Sequence, residues 1–365
     1  MHTVICRPLS AQRIVIPWNN AHGFTTPKRF SVSAPSRVIQ TPLTDVLNIR
    51  APVIMAAMQW YVPITYRSAA ISNAGGLGNI TALSQPNPDA LRTAIREMRH
   101  ITSKPFSVNI TTLPAINPPD YQGYAKAAID EGVRIFETAG DITSSLIAYF
   151  KSEGCIVLYK GVNIEDTKTA IGHGADVITL DANECVGFSW EEEIGGIVLL
   201  PLAAKELKVP FVASGGLADG RGLAGALALG ASVSGFCTRI MCTKESTIHQ
   251  SIKEKMVQSN ETDTVHIFKT LNNKTRVFKN KISKEVVALE SRPGGAQFEE
   301  LRPLVAGARG RLVYENGDPD HGIWAAGLSL GLIHDIPSCE ELLRRIESEA
   351  EDILAGGEKF KIIKS

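Results

Sequence analysis

From Ala51 onward, short apolar runs rich in Val and Ile alternate with amphipathic stretches, and Gly or polar turns separate them. The runs are Pro52–Met58, Gly76–Thr81, Phe106–Thr111, Arg134–Thr138, Cys155–Lys160, Val177–Asp181, Pro210–Ser214 and Val233–Thr238. Buried parallel strands read as continuous apolar runs, whereas surface helices repeat every 3.6 residues. The runs therefore predict strands. The stretches Pro88–His100, Gln122–Asp130, Ser144–Glu153, Ile164–His173, Leu200–Leu207 and Leu217–Leu229 predict helices. Repeated strand-then-helix units imply right-handed crossovers and a parallel sheet. Eight strands favour an α/β fold closed as a (β/α)8 TIM-like barrel over an open doubly wound sheet. An open sheet would more often carry a GxGxxG turn after its first strand, and this one ends in Ala56-Ala57-Met58.

After Lys244 the rhythm stops. Lys253–Leu289 is charged and leans to helix, Ser291–Gly310 holds a Pro-Gly-Gly turn, and Gly322–Ile336 is small and apolar. Glu340–Leu354 predicts an amphipathic helix with Leu342, Leu343, Ile346 and Ile353 on one face. The expected organisation is an N-terminal extension over 1–44, the barrel over 45–245, and a smaller C-terminal lobe over 246–365 that packs over the barrel mouth.

Composition adds little against this picture. The 365 residues suffice for one large barrel with a lobe. Formal net charge is zero, which gives no electrostatic reason to expect nucleic acid or anionic membrane as a partner. No apolar stretch reaches the roughly 18–20 residues of a membrane helix. The six cysteines carry neither a CxxC pair nor zinc-like spacing, so no metal site is expected and a reduced intracellular compartment is the simplest reading. The first 44 residues differ from the rest: Arg7, Arg13, Lys28, Arg29 and Arg37 stand there without one Asp or Glu. That composition is similar to a mitochondrial transit peptide, with a disordered or surface-draped extension as the alternative. The expected location is cytoplasmic, with the mitochondrion as the second reading.

Barrel chemistry lies where the strands end. The stretch Pro210-Phe-Val-Ala-Ser-Gly-Gly-Leu-Ala-Asp-Gly220 stops a strand at Ser214, passes Gly215 and Gly216, and predicts a helix opening at Leu217. Backbone N–H groups in such a turn form a phosphate cradle, and Cys237-Thr238 after the next strand can reach the same anion. The alternative is that these glycines serve only tight turns. Asn109 interrupts an apolar strand, so its amide either satisfies barrel neighbours or holds the edge of a ligand ring. Lys160 ends another strand. It pairs structurally with Asp181 or Glu184, or stands beside an anion.

Pro52-Val-Ile-Met-Ala-Ala-Met58, Ser72–Gly78, Pro105-Phe-Ser-Val-Asn109, Ala213-Ser-Gly-Gly-Leu-Ala-Asp-Gly-Arg-Gly222 and Thr238-Arg239 stand in the order and spacing of nitronate monooxygenases. Over about Ala51 to Ile353 the chain resembles that family, and it shares much of the set with FMN-dependent enoyl-ACP reductases. The resemblance implies FMN at the barrel mouth. Backbone at Ala56 and Met58 would line the flavin, Asn109 would bond its ring, and Lys160 would lie beside it. Ser214, Gly215, Gly216, Cys237 and Thr238 would hold the phosphate. It further implies a small-molecule substrate, a nitronate or similar stabilised carbanion, with dioxygen as acceptor, and a homodimer as family barrels often form.

The chain departs from the family where a His normally follows strand six. Asp181-Ala-Asn-Glu-Cys-Val-Gly-Phe188-Ser-Trp190 puts Phe188 there, and a phenyl ring cannot move a proton. Milder departures are Ala57 for a usual proline and Cys237 for a usual glycine. Three explanations stand open for Phe188. The substrate arrives already as an anion; or Lys160, Glu184, Cys185 or Tyr159 has taken over as base; or Phe188 and Trp190 form a wall for a larger apolar substrate. His249 is the obvious substitute histidine, and an ordinary helical residue is the other reading of it. The alternative functions are an NAD(P)H-using reductase of an activated double bond, a diverged flavoprotein of other role, and a non-flavin sugar-phosphate barrel using Lys160.

Overall fold

The computed structural model describes residues 2–7, 14–18, 38–58, 65–112, 118–140, 144–188 and 193–356. Eight parallel strands form one sheet: Val53–Met55, Gly78–Thr81, Phe106–Thr112, Ile135–Gly140, Ile156–Gly161, Val177–Asp181, Phe211–Ser214 and Val233–Phe236. In spatial order the first strand neighbours the eighth, and the rest follow down to the second. A parallel bridge between Ile54 and Leu77 joins the first strand to the second, so the sheet closes into the expected α/β barrel. Each strand matches one of the eight runs, because strands covered on both faces must be apolar throughout.

The helices Thr65–Asn73, Pro88–Ile101, Tyr121–Asp130, Ser144–Ser152, Ile164–Gly172, Gly196–Glu206 and Gly220–Ala228 follow strands one to seven. After strand eight comes only a four-residue helix, Thr238–Met241. The eighth place in the shell is taken by Cys339–Leu354, which packs against Gly220–Ala228 and Thr65–Asn73. Leu342, Leu343, Ile346 and Ala350 are its buried face, while Ile353 is exposed, contrary to the periodicity reading. Its start is set by a capping box in which the Ser338 hydroxyl accepts from Glu341 N.

The N-terminal stretch contributes an antiparallel sheet of His2–Arg7, Ile14–Trp18 and Val38–Gln40. The helix Pro42–Leu47 follows, capped by Thr41. Leu43 and Leu47 share one apolar cluster with Ile54, Leu77, Ile135, Val177, Val212 and Val233, so this helix plugs the barrel end opposite the strand C-termini. Arg13, Lys28, Arg29 and Arg37 lie outside the described residues.

The region expected to lean to helix between Lys253 and Leu289 is helical at its ends, in Gln250–Val257 and Lys281–Glu290, but holds a hairpin between them: Thr264–Ile267 pairs antiparallel with Thr275–Phe278. Thr-Val-His-Ile alternates with a period of two, but Thr-Arg-Val-Phe does not, and the charge around both strands concealed the hairpin. The hairpin pairs in turn with Gly187–Phe188, in the loop after strand six. Among the described residues no helix is long and apolar enough to cross a membrane, and no group of three or more His, Cys, Asp or Glu could hold a metal.

Candidate functional site

The strand C-termini surround one cavity. Ala56 and Ala57 line it from strand one, Lys160 from strand five, Asp181 from strand six, Ser214 from strand seven, and Cys237 and Thr238 from beyond strand eight. Ser214 is the register partner of Asp181 on one side and Gly235 on the other. Gly215 and Gly216 continue the wall at φ +99° and +75°, left-handed conformations open to glycine. A Cβ on Gly216 would stand 2.8 Å from that of Glu184, so the two turns meet with backbone against side chain.

The helix expected to open at Leu217 begins instead at Gly220. Asp219 is its N-cap, accepting from Gly222 N at 3.1 Å, and Glu349 accepts from Gly220 N at 2.9 Å. Carboxylates therefore already satisfy that helix start, which removes it from any anion cradle. What remains is the Gly215–Gly216 turn and the turn at Cys237-Thr238. The Thr238 hydroxyl oxygen accepts from Gly327 N at 3.0 Å, which ties the tail onto the cavity rim.

Lys160 Nζ lies 3.8 Å from Asp181 Oδ2 and 3.9 Å from Glu137 Oε1. Burial works to lower its pKa, but the Asp181 and Glu137 carboxylates outweigh burial and hold it above the ordinary lysine value. The side chain is an ammonium and no base. Glu184, the alternative partner, lines the cavity beside Cys185, but its carboxylate is engaged elsewhere: both its oxygens accept from Gly196 N at 3.1 Å, capping the helix after strand six. Burial pushes the Cys237 thiol up to about 12 and Cys185 higher still, so neither is a thiolate near neutrality. Cys185 donates to Phe188 O at 3.3 Å. Tyr159 is buried, and its hydroxyl donates to Gly140 O at 3.3 Å.

Asn109 is fully buried. Its Nδ2 donates to Glu137 Oε2 at 2.9 Å and its Oδ1 accepts from Thr111 at 2.9 Å, so it satisfies barrel neighbours and does not line the cavity. Met58 is also set back, its N–H donating to Thr81 Oγ1 at 3.2 Å. Phe188 is 46% exposed and likewise not on the cavity wall. Trp190 lies outside the described residues. His249 is a helix N-cap, its ring nitrogen accepting from Ser251 N at 3.2 Å.

Two site participants are not distinguished by local pattern alone. Glu137 stands within the apolar run Ile135-Phe-Glu-Thr-Ala139, where an acidic residue is itself a signal. Asp181 ends its strand, where the sequence offers it only as a structural partner of Lys160.

A family model of nitronate monooxygenases matches residues 40–349. A (3aS,4S,5R,7aS)-5-hydroxy-7a-methyl-1-oxo-octahydro-1H-indene-4-carboxyl-CoA dehydrogenase of Mycobacterium tuberculosis is 28% identical over 349 residues, spanning 86% of this chain and 96% of that one. A nitronate monooxygenase of Pseudomonas aeruginosa is 27% identical over 351 residues, spanning 84% and 98%. Among solved structures, FabK from Thermotoga maritima superposes with a TM-score of 0.79 at 30% identity, covering 87% of this chain and 97% of FabK.

Proposed function

Because this chain belongs to the nitronate monooxygenase family of oxidoreductases, we propose that it is FMN-dependent and oxidises a small substrate that arrives as a stabilised carbanion, a nitronate or its like, with dioxygen as acceptor. The residues at the cavity fit FMN. The Gly215–Gly216 turn and the Cys237-Thr238 turn present backbone and one hydroxyl where a phosphate would be held. Lys160 supplies a fixed cation for the electron-rich end of the ring system. When bound, FMN supplies the redox chemistry that amino-acid side chains lack.

One observation carries the choice of an anionic substrate. Lys160 is held as an ammonium by two carboxylates at the cavity, and Phe188 stands where the resemblance to the family would place a histidine. A cation favours a substrate that has already lost its proton, and Cys185, Tyr159 and Glu184 are each engaged elsewhere. In this reading Lys160 orients the anion by direct contact, and proton removal is left to the solvent before binding.

A second reading has its own support. The Mycobacterium tuberculosis relative is named as a dehydrogenase of a carboxyl-CoA compound and spans nearly its full length against this chain. A thioester substrate, with a nicotinamide donor for an activated double bond, would fit a barrel of this kind.

The deciding experiment is a visible spectrum of the purified protein, followed by anaerobic addition of propyl-2-nitronate and, separately, NADPH. Bleaching of bound FMN by the nitronate is expected. Bleaching by NADPH alone would select the reductase, and a protein that takes up no FMN would overturn both readings.

A further inference from the structure

At Glu137 polar side chains from three other strands meet. It stands in strand four with 2% of its surface exposed. Its Oε2 accepts from Asn109 Nδ2 at 2.9 Å and from Asn79 Nδ2 at 3.3 Å, and its Oε1 faces Lys160 Nζ at 3.9 Å. Strands two, three and five are thus each joined to strand four through one carboxylate. Removing a partner from such a buried charge is strongly destabilising, which makes the group a structural commitment.

The carboxylate also dictates orientation. It only accepts hydrogen bonds, so both amides must turn their NH2 groups toward it and their oxygens away. Asn109 Oδ1 then finds Thr111, but Asn79 Oδ1 is left buried with no partner. An orphaned amide oxygen carries the desolvation cost of an unsatisfied acceptor. Asn79 keeps this orientation because the opposite one would set two oxygens against each other.

We propose that Glu137 is the positioning residue of the site: held by Asn79 and Asn109 from the strands beside it, it keeps the Lys160 ammonium at the cavity wall. The proposal rests on the reading that the cavity holds FMN, which Lys160 would face. The charged and titratable groups around Lys160 are Glu137 from strand four, Asp181 from strand six, and the Cys185 and Cys237 thiols beyond strands six and eight. With Glu137 neutralised, Asp181 alone opposes burial, and Lys160 should release its proton more readily.

Competitive acetylation against pH, read at Lys160 by mass spectrometry on the full-length apoprotein, tests this directly. In Glu137→Gln the onset of Lys160 acetylation should move down by at least about one pH unit, a tenfold loss of proton affinity. Glu137→Asp, which keeps the charge, should restore the wild-type onset. The FMN dissociation constant, from quenching of flavin fluorescence, should rise in Glu137→Gln and recover in Glu137→Asp. An unchanged acetylation onset in Glu137→Gln would overturn the proposal. Should Glu137→Gln fail to fold, Glu137→Gln/Lys160→Met decides instead. Recovery of folding in the double variant supports the link, and failure of both alike removes it. The acetylation result stands on the apoprotein, so a wild type that binds no FMN would sink the functional reading separately.

Discussion

A buried ammonium needs anions within reach, and Lys160 shows how a single position is legible before its partners are. A lysine ending an apolar strand announces that a counter-charge exists, and Asp181 was among those the sequence offered. Glu184 was the other, but it caps the helix at Gly196. Glu137 took that role because adjacent parallel strands set Ala139 opposite Lys160, which brings residue 137 within side-chain reach. Sequence distance conceals this, since 23 positions separate the two. Gly216 is the reverse case, visible as a glycine but not as a constraint. Its φ of +75° and the nearby Glu184 Cβ leave no room for a methyl group. Gly216→Ala should therefore destabilise the protein by roughly 1–2 kcal/mol from backbone conformation alone, with the contact adding to it. It should also weaken FMN binding. Thermal unfolding and a flavin titration of the variant check both, and an unaltered melting temperature would refute the strain.

Elements carry their own conditions. The hairpin Thr264–Ile267 with Thr275–Phe278 leans on the loop after strand six through Gly187–Phe188, and Arg276 donates to Asn183 O at 3.1 Å. His266 sits opposite Arg276 in this hairpin. Burial lowers its pKa to about 4, with the Arg276 and Lys274 cations pushing the same way. The folded value lies below the ordinary 6.5, so folding favours the neutral ring. Its contribution is complete above about pH 6.5 and drains away as pH falls toward 4. Melting temperature should decline across that window, and His266→Gln should flatten that part of the profile. An identical pH profile in the variant would count against this assignment. Period-two alternation is present in Thr264–Ile267 but not in Thr275–Phe278, and the charged residues around them resemble a helix surface. Pairing with a strand 87 or more positions away decided the matter, because isolated hairpins are marginal in water.

At the scale of the whole molecule, closure and shell are separate achievements. The bridge between Ile54 and Leu77 closes the barrel, and Cys339–Leu354 completes the ring of helices after the chain has built its tail. Gly220 shows how closely that last helix fits: a Cβ there would lie 2.6 Å from Ala350 N. Arg50 adds a bidentate pair with Glu347, both contacts 2.7 Å, near the start of strand one. A ligand that binds only this assembled form must stabilise it. At a hundred times its dissociation constant, FMN should add about 2.7 kcal/mol and raise the melting temperature accordingly. Riboflavin, which lacks the phosphate, should raise it less if the Gly215–Gly216 and Cys237-Thr238 turns hold that group; equal shifts would argue against them. The sequence by itself determined the eight strands, the α/β class and the turns that line the cavity, because apolar runs and glycine turns are local consequences of burial and backbone sterics. Only the tertiary structure decided that Glu137 and Asp181 share Lys160, that Glu349 closes the helix start at Gly220, and that the last helix belongs to the barrel shell. Those are contacts between residues distant in the chain, and no local pattern encodes which strand or helix will come to lie beside another.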